Sequence, residues 1–243
     1  MPGATWAAKV EAAPGRNVSA SQPNRIATGS TGLTRQVVVD AAIALVDDRG
    51  LDGLSMRNLG AALGVNPMTI YGYVANKAEL LDTVVEHVAT QLRDQPPSTA
   101  TDPVDVLVEA SLHHRRVLLQ HPNLAGLVAA RPLPQADWAA TVAGGIALLR
   151  LAGVPEDRLA VAASSLARFI LGFILHEASE SGLRAQLGED DARYRDRFRA
   201  QADVFGRDTP EADALLRRID RDRGAEEFDQ GLRALVRGFA ISG

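Results

Sequence analysis

Between Ser55 and Val74 the chain reads as two very short helices held apart by a tight turn, and this stretch restricts the fold more than any other. Ser55 is placed to cap a segment with the apolar stripe Met56, Leu59 and Leu63, and Gly64 supplies its stop. Asn66 then caps a second segment that opens on Pro67, where a missing N–H costs nothing, and that is expected to run to Val74. Two helices joined by a three- or four-residue turn containing Gly make a helix-turn-helix, whose second helix is sized for a DNA major groove. With Val65, Ile70 and Val74 facing inward, the outward residues are Pro67, Met68, Thr69, Tyr71, Gly72 and Tyr73. A purely structural helix would usually carry Glu, Lys and Arg there.

The flanking segments are helical by the same periodicity. Val37, Val38, Ala41, Ala42, Leu45 and Val46 recur at three- and four-residue spacing until Gly50 closes a first helix. Asn76 with Glu79 resembles a capping box and opens a helix with the stripe Ala78, Leu81, Val84, Val85, Val88 and Leu92. Beyond the Pro96-Pro97 break, helices are expected near 103 to 120, 123 to 130, 134 to 152, 156 to 182, 191 to 206 and 225 to 240, with no competing strand signal. The expected fold is therefore all-α. It has a disordered, Pro- and Gly-bearing arm over 1–32, a helix-turn-helix domain over 33–93 and a larger helical bundle over 94–243.

Residues 159 to 175 form the most apolar window, yet they fall short of the ~20 residues that cross a bilayer and include Arg168, so a helix buried within protein is expected and no membrane association. Residues 184 to 223 carry ten basic and ten acidic side chains, and read as a solvated helix with a thin apolar edge or a partly disordered loop. The chain has no cysteine and no signal-peptide pattern, which points to a reducing, cytoplasmic setting without disulfides.

The formal net charge of -4 argues mildly against a nucleic-acid partner. Resolved locally, the objection weakens. Asp40, Asp47, Asp48 and Asp52 crowd the stretch before the motif, whereas no acid lies between Leu54 and Lys77, leaving Arg57 and Lys77 as the charges. At a Debye length of about 8 Å the local balance matters more than the total.

The run "LTRQVVVDAAIALVDDRGLDGLSMRNLGAALGVNPMTIYGYVANKAELLDTV" resembles the DNA-binding domain of the tetracycline-repressor (TetR) family of bacterial transcriptional regulators. A weaker likeness, in "LLQHPNLAGLVAARP" and "LARFILGFILHEAS", extends to the C-terminal domain of the tetracycline-repressor subgroup. The resemblance implies a homodimer on palindromic double-stranded operator DNA, a repressor released by a small-molecule effector. It makes Arg57 a base-contacting arginine able to bond bidentately to guanine. It places Pro67, Met68 and Thr69 at the tip of the reading helix, with apolar atoms against thymine methyls, and Tyr71, Tyr73 and Lys77 on phosphates. Gly72 departs from the bulkier residue common at its position. The dimer is expected to bury the 156 to 182 and 225 to 240 helices as a four-helix bundle.

Candidate effector contacts are His113, Arg116, Leu127, Trp138, Arg168, Phe169, Phe173 and His176. Arg168, Gly172 and His176 repeat every four residues as a polar seam, which suits either a ligand cavity or a subunit interface. Leu127 stands where metal–tetracycline binders of the family place a histidine, and no histidine pair has a recognised ligand spacing, so neither a metal nor another cofactor is expected. Two other readings stay open on sequence: a constitutive DNA-binding regulator without an effector, and a helical small-molecule-binding protein or enzyme. No acid/base pair, nucleophile constellation or phosphate loop supports an enzyme.

Overall fold

The computed structural model describes residues 32–131, 135–188, 190–206, 209–217 and 221–241. The arm expected over 1–32 lies outside them except for Gly32. Every regular element among the described residues is a helix.

Helix α1 (Arg35–Gly53) begins at Thr34, whose hydroxyl accepts from the Val37 N–H, and breaks at Gly50, where φ is 70°. The expected stop at Gly50 is therefore a kink, followed by one further turn. Helix α2 (Met56–Leu63) is capped by Ser55, which accepts from the Asn58 N–H, and ends on Gly64 in the left-handed region at φ 68°. Helix α3 (Pro67–Ile70) has Asn66 as its cap, accepting from the Met68 N–H. It is a single turn and does not reach Val74 as expected. Exposed Gly72 is a poor helix former, and the Asn76 cap begins the next helix directly after, so Tyr71–Tyr73 form a turn instead.

Helix α4 (Lys77–Arg93) leads into the remainder of the chain. Its capping box is only half formed: Asn76 accepts from the Glu79 N–H, but the Glu79 carboxylate accepts from the Ala75 N–H and also receives Arg35. The buried stripe of α4 uses Leu80 in place of the expected Ala78, which is exposed. The remaining helices are α5 (Pro103–Gln120), α6 (Pro122–Ala130), α7 (Gln135–Leu151), α8 (Leu159–Leu187, preceded by a 3-10 turn at Glu156–Arg158), α9 (Asp191–Val204), α10 (Pro210–Arg217) and α11 (Arg221–Ile241). Helix α10 was hidden in the charged 184–223 stretch. It pairs with α9, and the Arg184 guanidinium lies 4.2 Å from the Tyr194 ring centroid, joining α9 to the end of α8.

Two apolar cores organise the chain. The first joins the interior of α1–α4 to Val117, Leu118, Leu124, Ala125, Val128, Ile174 and Ala178, so it crosses the 93/94 boundary drawn on sequence. The second gathers Leu107, Leu149, Leu159, Leu166, Leu232 and Val236 from α5, α7, α8 and α11. Arg115 and Glu177 tie α5 to α8 with two bonds of 2.6 and 2.7 Å.

Helix α8 is only partly enclosed in the single chain: Ala162, Leu166, Ile174 and Ala178 are buried, while Val161, Arg168, Gly172, His176 and Leu183 are exposed. An 18-residue stretch within Glu156–Arg184 has a mean hydropathy of 1.8, apolar enough by length and composition to cross a membrane, and only 22% of that stretch is buried. The high apolar content serves two faces, and this chain alone covers one of them.

Candidate nucleic-acid interface

The helix-turn-helix is held by its cap residues and by one close approach. Leu59, Leu63 and Ile70 are fully or almost fully buried and fasten α2 and α3 to the first core. Gly60 lets the two helices meet: a Cβ built there would lie 3.0 Å from the Val65 carbonyl oxygen and 3.1 Å from the ring and nitrogen of Pro67. Sequence reasoning missed Gly60, although a glycine inside an otherwise helical pattern is the available signal. Gly60→Ala should push Pro67 outward by a few tenths of an ångström. The expected result is specific DNA affinity lowered by about tenfold with helix content unchanged, because displacement of well-oriented contacts is costly even at sub-ångström scale; circular dichroism and fluorescence anisotropy together check it.

Most of the sequence-designated reading residues are on the surface. Met68 is 71% exposed and Tyr71 45%. Arg57, Thr69, Gly72 and Lys77 are exposed, and Pro67 is half-buried against Gly60. Tyr73 differs. It is half-buried, and its hydroxyl donates to the Leu33 carbonyl at 3.0 Å, so it ties the entry of α1 to the turn after α3. Arg35 adds to the same junction, donating to Glu79 and to the Thr83 hydroxyl at 3.0 Å each. Three of the four acids that precede the motif have partners away from it: Asp40 accepts from Gln36, Asp48 pairs with Arg49, and Asp47 pairs with His121.

The candidate effector residues are dispersed. His113 Nε2 lies 2.9 Å from the Gln91 carbonyl, at the α4–α5 contact. Arg116 is exposed, and Leu127 packs on the first core. Arg168 bonds the Ser164 hydroxyl on the open face of α8, and His176 sits 3.4 Å from Glu180 on the same helix. Phe169 and Phe173 are brought together on Phe228 of α11, Phe169 stacked at a centroid distance of 5.8 Å and Phe173 edge-on at 5.2 Å. The side chain of Trp138 lies outside the described residues. Among the described residues no group of three or more His, Cys, Asp or Glu side chains could hold a metal.

His114, next to His113, is held below the ordinary histidine range, first by burial and then by the neighbouring His113. The folded state therefore disfavours its protonation relative to the unfolded chain. Its stability contribution is complete above the unfolded value of about 6.5 and is lost as pH falls below it. The thermal midpoint should drop on acidification from pH 7.5 to 5.5, and His114→Gln should reduce that drop; equal pH slopes for both proteins would contradict it.

The sequence profile of bacterial regulatory proteins of the tetR family matches residues 38–84, spanning α2, α3 and the adjoining parts of α1 and α4. The profile of the tetracyclin repressor-like C-terminal domain matches residues 97–241. The chain belongs to the TetR family. An HTH-type transcriptional regulator of Saccharopolyspora erythraea is 30% identical to this TetR-family chain over 222 residues, 86% of each chain. Among solved structures, the Streptomyces coelicolor TetR-family protein ActR in complex with actinorhodin superposes with a TM-score of 0.60 at 26% identity, covering 86% of this chain and 96% of that one. BioQ with its double-stranded DNA operator gives a TM-score of 0.54 at 25% identity, covering 86% and 99%. As a TetR-family member the protein is a DNA-binding transcription regulator that acts as a dimer, and it is not an enzyme.

Proposed function

We propose that this TetR-family protein is a cytoplasmic repressor that reads a palindromic operator with α2 and α3 and leaves it when a small molecule enters the C-terminal bundle. The reading head comprises residues 33–93, and 94–243 form the effector and dimerisation domain. The observation that carries the DNA reading is the surface of the motif: Met68, Thr69 and Tyr71 stand exposed at the tip of a capped helix, with Arg57 and Lys77 beside them in sequence and no acid from Ser55 to Asn76. Arg57 bonds a guanine edge, Pro67 and Met68 lie against thymine methyls, Thr69 serves a base or a phosphate, and Tyr71, the Gly72 backbone and Lys77 fix register on phosphates. Tyr73 acts behind them by holding the turn to Leu33.

The effector reading is supported by the C-terminal profile match and by ActR's complex with actinorhodin. Phe169 and Phe173 are the candidate contacts that the fold assembles with a common partner, Phe228. A ligand need only bind one head separation better than the other, and about 5.5 kcal/mol of difference moves a 1:99 equilibrium to 99:1.

The test is a gel shift on the promoters of the protein's own and adjacent genes, followed by ligand release. Specific retardation reversed by a small molecule supports the reading, and no retardation sinks it. Exchanging operator thymines for uracils removes only the C5 methyl, and should weaken binding by the wild type at one or two positions per half-site. Met68→Ala should be indifferent to that exchange at one of them, because an apolar contact has been removed from the other side.

A further inference from the structure

We propose that Asn58 sets the direction from which Arg57 meets the operator, as the positioning residue for base readout by α2. The inference rests on the DNA-binding reading above and goes beyond it to how the arginine is aimed. Arg57 and Asn58 are the second and third residues of α2. Ser55 accepts from the Asn58 N–H at 3.1 Å, and a Glu or Gln at this third position would ordinarily reach back to the N–H of the cap. Asn58 reaches elsewhere. Its side-chain amide donates at 2.8 Å to the carbonyl of Gly53, the last residue of α1, where a helix leaves its carbonyls without internal partners.

The connection between α1 and α2 is where such a bond counts. Gly50 breaks the helical geometry at φ 70°, and a second glycine, Gly53, follows just before the Ser55 cap. Leu54 and Leu59, 1% and 0% exposed, hold the segment in the first core, but apolar burial is non-directional and tolerates small rotations of α2 about its own axis. A directed hydrogen bond opposes them. Its acceptor is firmly placed, since a Cβ built on Gly53 would collide with the Arg49 side chain. Neighbouring residues on a helix point about 100° apart, so turning half-buried Asn58 toward Gly53 commits exposed Arg57 to one outward direction. A bidentate contact depends on that commitment, because two guanidinium donors must meet guanine O6 and N7 together, and contact groups perform only when supporting bonds hold them to about 0.5 Å.

The experiment uses the full chain and a palindrome selected from random-sequence DNA by the wild-type protein. Each base pair of the half-site is replaced in turn, and discrimination is the ratio of affinities for the original and the replaced sequence. Arg57→Ala identifies the guanine it reads as the position where discrimination is lost. Asn58→Ala should lower discrimination at that position by about tenfold and leave the other positions within about twofold. Asn58→Asp keeps the shape, loses the donor and suits a helix N-terminus; it should lower the same ratio, from which the uniform effect of its charge cancels. In the Arg57→Ala background, Asn58→Ala should change palindrome affinity by less than about twofold, because its effect passes through the guanidinium. Unchanged discrimination in both variants would overturn the proposal. So would a uniform loss of discrimination at every position, or an equal loss of affinity with and without Arg57, either of which signifies general damage to the head. If Arg57→Ala relaxes no position while the wild type still selects a palindrome, the DNA-binding reading stands and this inference falls; if no palindrome is selected, both fall.

Discussion

Arg57→Ala should remove most of the operator specificity without disturbing the fold. The residue is exposed on the first turn of α2, so its loss leaves no buried partner unsatisfied, and the thermal midpoint should be unchanged. A bidentate arginine–guanine contact contributes about 1–3 kcal/mol of discrimination, and a symmetric dimer makes it twice. The expected loss on the palindrome is therefore about 2–6 kcal/mol, on the order of 30-fold to 10⁴-fold. Binding to scrambled DNA at low salt should fall far less, since that affinity comes from phosphates and not from base edges. Equal losses on operator and scrambled DNA would reassign Arg57 to a backbone contact.

The second large effect concerns the open face formed by α8 and α11. Val161, Arg168, Gly172 and His176 line the exposed side of α8, and Ala234, Arg237 and Gly238 are exposed on α11. A groove of about 510 Å³ lies where Val161 faces Leu235 and Phe239. A dimer that packs these helices across its two-fold axis covers the mixed face left open in the single chain. Gly172 and Gly238 give a clean way to test this, because a Cβ at either position meets nothing within 4 Å inside the chain. Gly172→Arg or Gly238→Arg should therefore leave the monomer fold intact and raise local helix propensity. Each places two new charges against the interface. Light scattering should show monomers at micromolar concentration, and palindrome affinity should fall by about 10²- to 10⁴-fold as the second half-site ceases to be an intramolecular partner. A dimer that persists in both variants would locate the interface elsewhere.

The features legible in the sequence are those that depend on a few neighbouring residues. Ser55, Gly64, Asn66 and Asn76 declare the ends of α2, α3 and α4 because a cap bonds its own helix two or three residues away. The reading surface follows from the same register, since turning Ile70 inward exposes Met68, Thr69 and Tyr71. Contacts between distant segments were not legible. The Tyr73–Leu33 bond spans forty residues, and it gives a residue expected on phosphate a second task in holding the turn. The Asn123 amide bonds carbonyls more than seventy residues away.

Periodicity also fails where a helix is apolar on most sides. In α8 the pattern records that much of the surface avoids water, but not whether one chain or two provides the cover. The effector candidates had a comparable weakness: aromatic and basic residues at helical spacing fit a cavity, a core or an interface equally well. Three-dimensional packing assigns His113 to the α4–α5 contact, Leu127 to the first core and Arg168 with His176 to the open face of α8.

The net charge of -4 is compatible with DNA binding because the motif itself carries no acid from Ser55 to Asn76, and Asp47 and Asp48 before it pair with His121 and Arg49. Specific affinity must then come chiefly from base and shape contacts. Selection from a random-sequence library, followed by anisotropy on the enriched DNA and its scrambled counterpart near physiological salt, tests this most directly. An inverted repeat should emerge, with half-site centres about 34–36 Å or more apart and discrimination of about 10³-fold or greater. Failure to enrich any repeat, or equal affinity for the scrambled sequence, would contradict recognition of DNA through α2 and α3.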